Sequence, residues 1–126
     1  MTIRSEIGAI ADVVAPIEGE PVVLKHLPNS FVQTDLEERL NSLDTMNLVL
    51  AGFITQMCVN STAHGAFNLG FAPTVVANPT ATRSLKSAGA RTLSAAQVPH
   101  GALASTRDLC AAVADEVTSY LAVQGE

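Results

Sequence analysis

The sequence predicts an α/β fold built on a parallel sheet, and three observations point there. Short apolar runs suited to strands alternate with amphipathic stretches suited to helices, which implies βαβ units. Charged residues make up only 15% of the chain and hydrophobic ones 48%, a balance that suits strands covered on both faces. At 126 residues the chain has the length of one domain with a real core, so a single domain over 1–126 is expected.

Taken in order, Ala15 to Pro21 reads as a loop leading inward, and Val22-Val23-Leu24-Lys25 as a short buried strand with a lysine at its end. His26 to Phe31 is a loop. Thr34-Asp35-Leu36-Glu37 has the spacing of a capping box, and Leu36, Leu40 and Leu43 follow at helical intervals, so a helix is expected from about 34 to 43. Leu48 to Ile54 is the second strand. A helix from about 56 to 69 should bury Val59, Ala63, Ala66 and Phe67 and stop at Gly70. Ala72 to Ala77 is a third strand, ended by Asn78-Pro79. Residues 80 to 92 read as a surface loop, Ser94 to Leu109 as a helix with Pro99 in its first turns, Cys110 to Ala114 as a last short strand and Val117 to Val123 as a closing helix.

Composition narrows the function. The net charge is −5, without a basic cluster, which argues against nucleic acid. No apolar run approaches the roughly 20 residues of a membrane span, and Arg4, Glu6 and Asp12 interrupt the N-terminal stretch, so the expectation is a soluble cytoplasmic protein. Two cysteines do not make a disulfide framework, and His26, His64 and His100 have no metal-ligand spacing. Neither a metal nor a cofactor is expected.

The chemistry centres on Cys58, which the turn after the second strand delivers to the first turn of a helix. Unpaired backbone N–H groups and the positive end of the helix dipole favour the thiolate of a cysteine placed there. The bland alternative is a small buried hydrophobe. Cys110, inside an apolar run, reads as core. Lys25, at a strand end, can share the rim of loops with Cys58 and support a thiolate or an oxyanion, or it can simply reach solvent. His26 and His100 are conceivable bases without a motif to position them, and Thr55 reads as a helix cap.

Taken together, Lys25, Asn29-Ser30-Phe31, Thr34-Asp35-Leu36, the block Leu50-Ala51-Gly52-Phe53-Ile54-Thr55-Gln56-Met57-Cys58-Val59-Asn60-Ser61-Thr62-Ala63, and Gly70-Phe71-Ala72-Pro73-Thr74-Val75-Val76 resemble the isochorismatase-like cysteine hydrolase superfamily. The resemblance is close over residues 15 to 83. It implies a three-layer α/β/α, Rossmann-like fold and a cysteine hydrolase that cleaves a C–N bond of a small amide through a thioester, because relatives acting on isochorismate generally lack the cysteine. It also implies Cys58 as nucleophile, Lys25 as its electrostatic partner, an oxyanion hole from the backbone N–H groups of Ile54 and Cys58 beside a cis Phe53–Ile54 peptide, and a pocket near Phe31 and Met57. The family aspartate that takes the thiol proton has no match, since Asp12 precedes its apolar pair and Asp35 stands at a helix start. The strand that carries it in relatives is equally unmatched, so the domain is expected to be N-terminally short: either the natural product is longer than this chain, or another copy covers the gap in a homo-oligomer, or the chain is a non-catalytic remnant. A non-catalytic binding or scaffold protein and a thiol redox sensor are the competing readings.

Overall fold

The computed structural model describes residues 10–52, 55–76, 85–86, 92–93, 97–109 and 112–114. A 3-10 turn, Asp12–Val14, precedes helix α1 (Leu36–Ser42), strand β1 (Asn47–Leu50), a π-helical turn (Thr55–Val59) that runs into α2 (Asn60–Asn68), β2 (Ala72–Val76), the two-residue strands β3 (Leu85–Lys86) and β4 (Thr92–Leu93), α3 (Gln97–Leu109) and β5 (Ala112–Ala114). The main sheet is parallel in the order β1-β2-β5, with Leu50 beside Val75 and Val75 beside Val113. A parallel sheet whose strands are joined through helices is the predicted α/β class. β3 and β4 form a separate antiparallel pair, with β3 and Thr92 in the stretch 80–92 expected to be a plain loop.

Leu48 and Leu50 point from β1 to the same face, as period-2 alternation requires, and Val49 between them is 45% exposed. On the Leu48–Leu50 face sit two apolar clusters. Leu48, Ala66 and Phe71 pack with Phe31, Leu40 and Leu50, and Val59, Ala63 and Val75 pack with Leu50 and Leu103. Residues of α1, α2 and α3 therefore meet the sheet on one face. The closing helix expected over 117–123, which the opposite layer would need, lies outside the described residues, as do Phe53, Ile54 and Cys110.

Two helix ends follow the same backbone logic. Leu69 is the last residue of α2's C-terminal turn, and Gly70 follows at φ +91°. Phe71 N donates to Ala66 O at 3.0 Å and Gly70 N to Phe67 O at 3.1 Å, the paired bonds of a Schellman motif, and Phe71 and Ala66 share a core cluster. The end of α1 repeats the arrangement with Asp44, at φ +52°, where α2 has glycine. Thr45 N donates to Leu40 O at 3.5 Å and Asp44 N to Asn41 O at 3.1 Å.

Three local expectations are corrected. Val22 to Lys25 is not a strand: no described strand pairs with it, and Val22 and Leu24 are 60% and 49% exposed. The capping box does not close. Thr34 Oγ1 turns back to donate to Ser30 O at 2.6 Å and accepts only a long 3.4 Å bond from Leu36 N, which leaves Asp35 as the first flanking residue of α1 without a side-chain cap. Phe67 is half exposed, because the buried stripe of α2 consists of Thr62, Ala63, Gly65 and Ala66 and Phe67 lies beyond its edge.

Candidate active site

Cys58 stands in the π-helical turn that follows β1, half-buried and outside any disulfide. This is the C-terminal side of a parallel strand, where open α/β sheets bind their ligands. Short π segments inside helices frequently coincide with functional sites. Val59, the next residue, anchors the turn in the core against Val75, so the sulfur is carried by well-packed backbone. Met57 is 41% exposed on the same turn. The side chain of Thr55, expected as a cap, and Ile54, expected in the oxyanion hole, lie outside the described residues.

Lys25 reaches its surroundings from a loop. Its Nζ donates to Leu27 O at 3.0 Å and to Pro28 O at 3.1 Å, and no described carboxylate neutralises it. The loop beyond it is tied to α2. Thr62, buried on that helix about one turn after Cys58, accepts from Ser30 N at 3.1 Å and places its hydroxyl 3.4 Å from Pro28 O and 3.1 Å from Ser30 Oγ. Three residues on, Gly65 lets the side chain of Asn29 lie on the helix surface, where a Cβ would come within 2.5 Å of Asn29 Nδ2. Asn29 Oδ1 in turn accepts from Phe31 N at 3.0 Å. The segment from Pro28 to Phe31 is thereby clamped against the helix that continues from Cys58.

Phe31, expected to line the pocket, has one ring face stacked on Phe71, with centroids 5.8 Å apart, and packs on the Leu48 cluster. Its described contacts are those of a core residue. Asp12 heads an exposed 3-10 turn, and Asp35 is engaged by Arg39 at 2.8 Å, so neither bonds to Lys25. His26 is exposed and has no resolved partner at the site, while the side chain of His100 lies outside the described residues. No group of three potential metal ligands occurs among the described residues. Thr62, Gly65 and Asn29 carried no assigned role in the sequence reading. The available signal was a threonine and a glycine on the otherwise apolar side of an alanine-rich helix.

The isochorismatase domain model matches residues 4–108. The chain belongs to the isochorismatase family. Over 77 residues, 61% of this chain and 43% of the relative, it is 38% identical to the isochorismatase family protein YddQ of Bacillus subtilis. It is 33% identical over 72 residues, 57% of this chain and 29% of the relative, to the ureidoacrylate amidohydrolase RutB of Stutzerimonas stutzeri. A crystal structure of an isochorismatase from Pseudomonas putida superposes with a TM-score of 0.81 at 34% identity, covering 85% of this chain and 55% of that one. The isochorismatase-like fold expected from the motif blocks is thus the observed one. The chain spans about half the length of the curated relatives it matches.

Proposed function

We propose that this isochorismatase-family chain is a cysteine hydrolase that cleaves the C–N bond of a small amide, with Cys58 as nucleophile and Lys25 as its electrostatic partner. The observation that carries the reading is a half-buried, unbridged cysteine in a helical turn beyond the end of a parallel strand, in a chain of this family. The similarity to a relative named as an amidohydrolase supports a C–N bond as the target.

The Cys58 thiol gives its proton to solvent, the thiolate attacks the amide carbonyl carbon, the C–N bond breaks, and the leaving nitrogen takes a proton back from solvent and departs as the amine or ammonia. A thioester remains on Cys58. Water adds to its carbonyl, the C–S bond breaks, and the carboxylic acid leaves with the thiol regenerated. The Lys25 ammonium favours both anionic stages, the thiolate and the tetrahedral oxyanion.

The experiment is ammonia release by the full chain from a panel of primary amides: nicotinamide, pyrazinamide and benzamide. Turnover that falls by at least roughly 10³-fold in Cys58→Ser is expected. Absence of turnover, together with iodoacetamide labelling of Cys58 no faster than that of glutathione at the same pH, would overturn the reading and leave a binding or scaffold role.

A further inference from the structure

We infer that Thr62 is a positioning residue for Lys25, acting through the backbone carbonyl of Pro28. The inference rests on the reading of Lys25 as the electrostatic partner of Cys58. Among the hydrogen bonds of the described residues, the path from the Lys25 ammonium to the helix bearing Cys58 runs through one oxygen: Lys25 Nζ donates to Pro28 O at 3.1 Å, and the Thr62 hydroxyl lies 3.4 Å from that oxygen. A carbonyl oxygen has two lone pairs, so the two donors are compatible.

The hydroxyl bookkeeping is also complete. Thr62 Oγ1 has one proton and two lone pairs. It accepts from Ser30 N, and because Ser30 Oγ is itself a donor, their 3.1 Å contact can run from serine to threonine and leave the Thr62 proton for Pro28 O. Thr62 is buried, and its partners Ser30 and Pro28 are supplied by the loop. Two of the three ammonium N–H groups are then held by Leu27 O and Pro28 O, which sets the direction of the third. Thr62 follows Cys58 by about one helical turn, and Gly65 receives Asn29 at the next, so the loop is held at two successive levels of the same helix. A lysine stem has four rotatable bonds, and without such a clamp its charge would be spread over a wide arc.

The test is a two-by-two cycle of Thr62→Val and Lys25→Met on the full chain. The readout is the second-order rate of Cys58 labelling by iodoacetamide at pH 7, followed on the Cys58 peptide by mass spectrometry, with thermal unfolding as a control. Thr62→Val keeps the shape of threonine and loses the hydroxyl. It is expected to slow labelling roughly five- to tenfold, Thr62→Ser to restore it within about twofold, and Thr62→Val to add nothing in the Lys25→Met background, since residues acting as one unit are not additive. The same factor in both backgrounds, or no rescue by serine, would overturn the inference in favour of a purely structural threonine. If Lys25→Met alone leaves labelling unchanged, the Lys25 assignment falls and takes this inference with it; if Lys25→Met slows labelling and Thr62→Val does not, only the inference falls. Should Thr62→Val fail to fold, Thr62→Ala, which also removes the hydroxyl on Pro28 O, is put through the same cycle. Slowed labelling that disappears with Lys25→Met supports the inference, and unchanged labelling overturns it.

Discussion

A glycine inside a helix is normally a weakness, and at position 65 it is an opening. Gly65→Ala gains about 1 kcal/mol of helix propensity, and it pushes a Cβ onto an Asn29 side chain whose Oδ1 is held by Phe31 N, a bond worth about 1 kcal/mol. The two terms oppose each other. Stability of Gly65→Ala by chemical denaturation is therefore expected to stay within about 1 kcal/mol of the parent, while Cys58 labelling slows. A loss well beyond that would mean that the loop matters to the fold more than to the site. Asp35 and Arg39 make a simpler case. The hydrogen bond from Arg39 holds the Asp35 carboxyl below its ordinary value of 3.8, and both groups are exposed. The folded state thus favours the carboxylate, so the pair's small contribution is present above about pH 4 and lost as pH falls through the lowered value. Asp35→Asn should lower the melting temperature slightly at pH 7 and by progressively less as pH is taken down below about 4, a difference that salt reduces.

The two Schellman ends form a natural comparison between elements. Gly70 at φ +91° takes a conformation that costs an L-residue with a side chain about 1 kcal/mol, so Gly70→Ala should destabilise by about that much. Asp44 occupies the equivalent position after α1 with a carboxylate at the negative end of the helix dipole. Asp44→Gly should stabilise by roughly 0.5–1 kcal/mol, measured by denaturant unfolding, and no gain there would show that Asp44 has compensating contacts. Gly70 shows how much of an element is legible in one dimension, because glycine after a periodic apolar run is a local signal. α1, β1, α2, β2 and α3 were readable on the same basis, with ends shifted by a few residues. Val22 to Lys25 was misread because an apolar run becomes a strand only when a ladder partner meets it, and pairing is non-local. Thr34 misled for a related reason: its hydroxyl proton had an acceptor, Ser30 O, that turns the side chain away from the helix start and that spacing alone does not reveal. The link from Thr62 to the loop was invisible because its partners, Pro28 and Ser30, lie more than thirty positions away.

Across the whole molecule, the parallel sheet orders the chemistry. β2 lies between β1 and β5, α2 returns the chain from β1 to β2, and the turn that opens this crossover carries Cys58. The loop after Lys25 then comes back across α2 and is fastened at Thr62 and Gly65. Cys58 and Lys25, the proposed nucleophile and its proposed electrostatic partner, thus come from separate segments that are both referred to one helix. The position of Cys58 was legible because strand, turn and helix are consecutive in sequence. The way Lys25 is held was not, since it depends on long-range contacts. The most direct measurement is peptide mass spectrometry of the full chain mixed with a primary amide that it turns over, nicotinamide, pyrazinamide or benzamide, quenched in acid within the first turnover and digested at acid pH. An acyl mass increment on the peptide containing Cys58, removed by hydroxylamine and absent from Cys58→Ser, is the predicted result; ammonia release that persists in Cys58→Ser with no adduct on the parent would contradict the account.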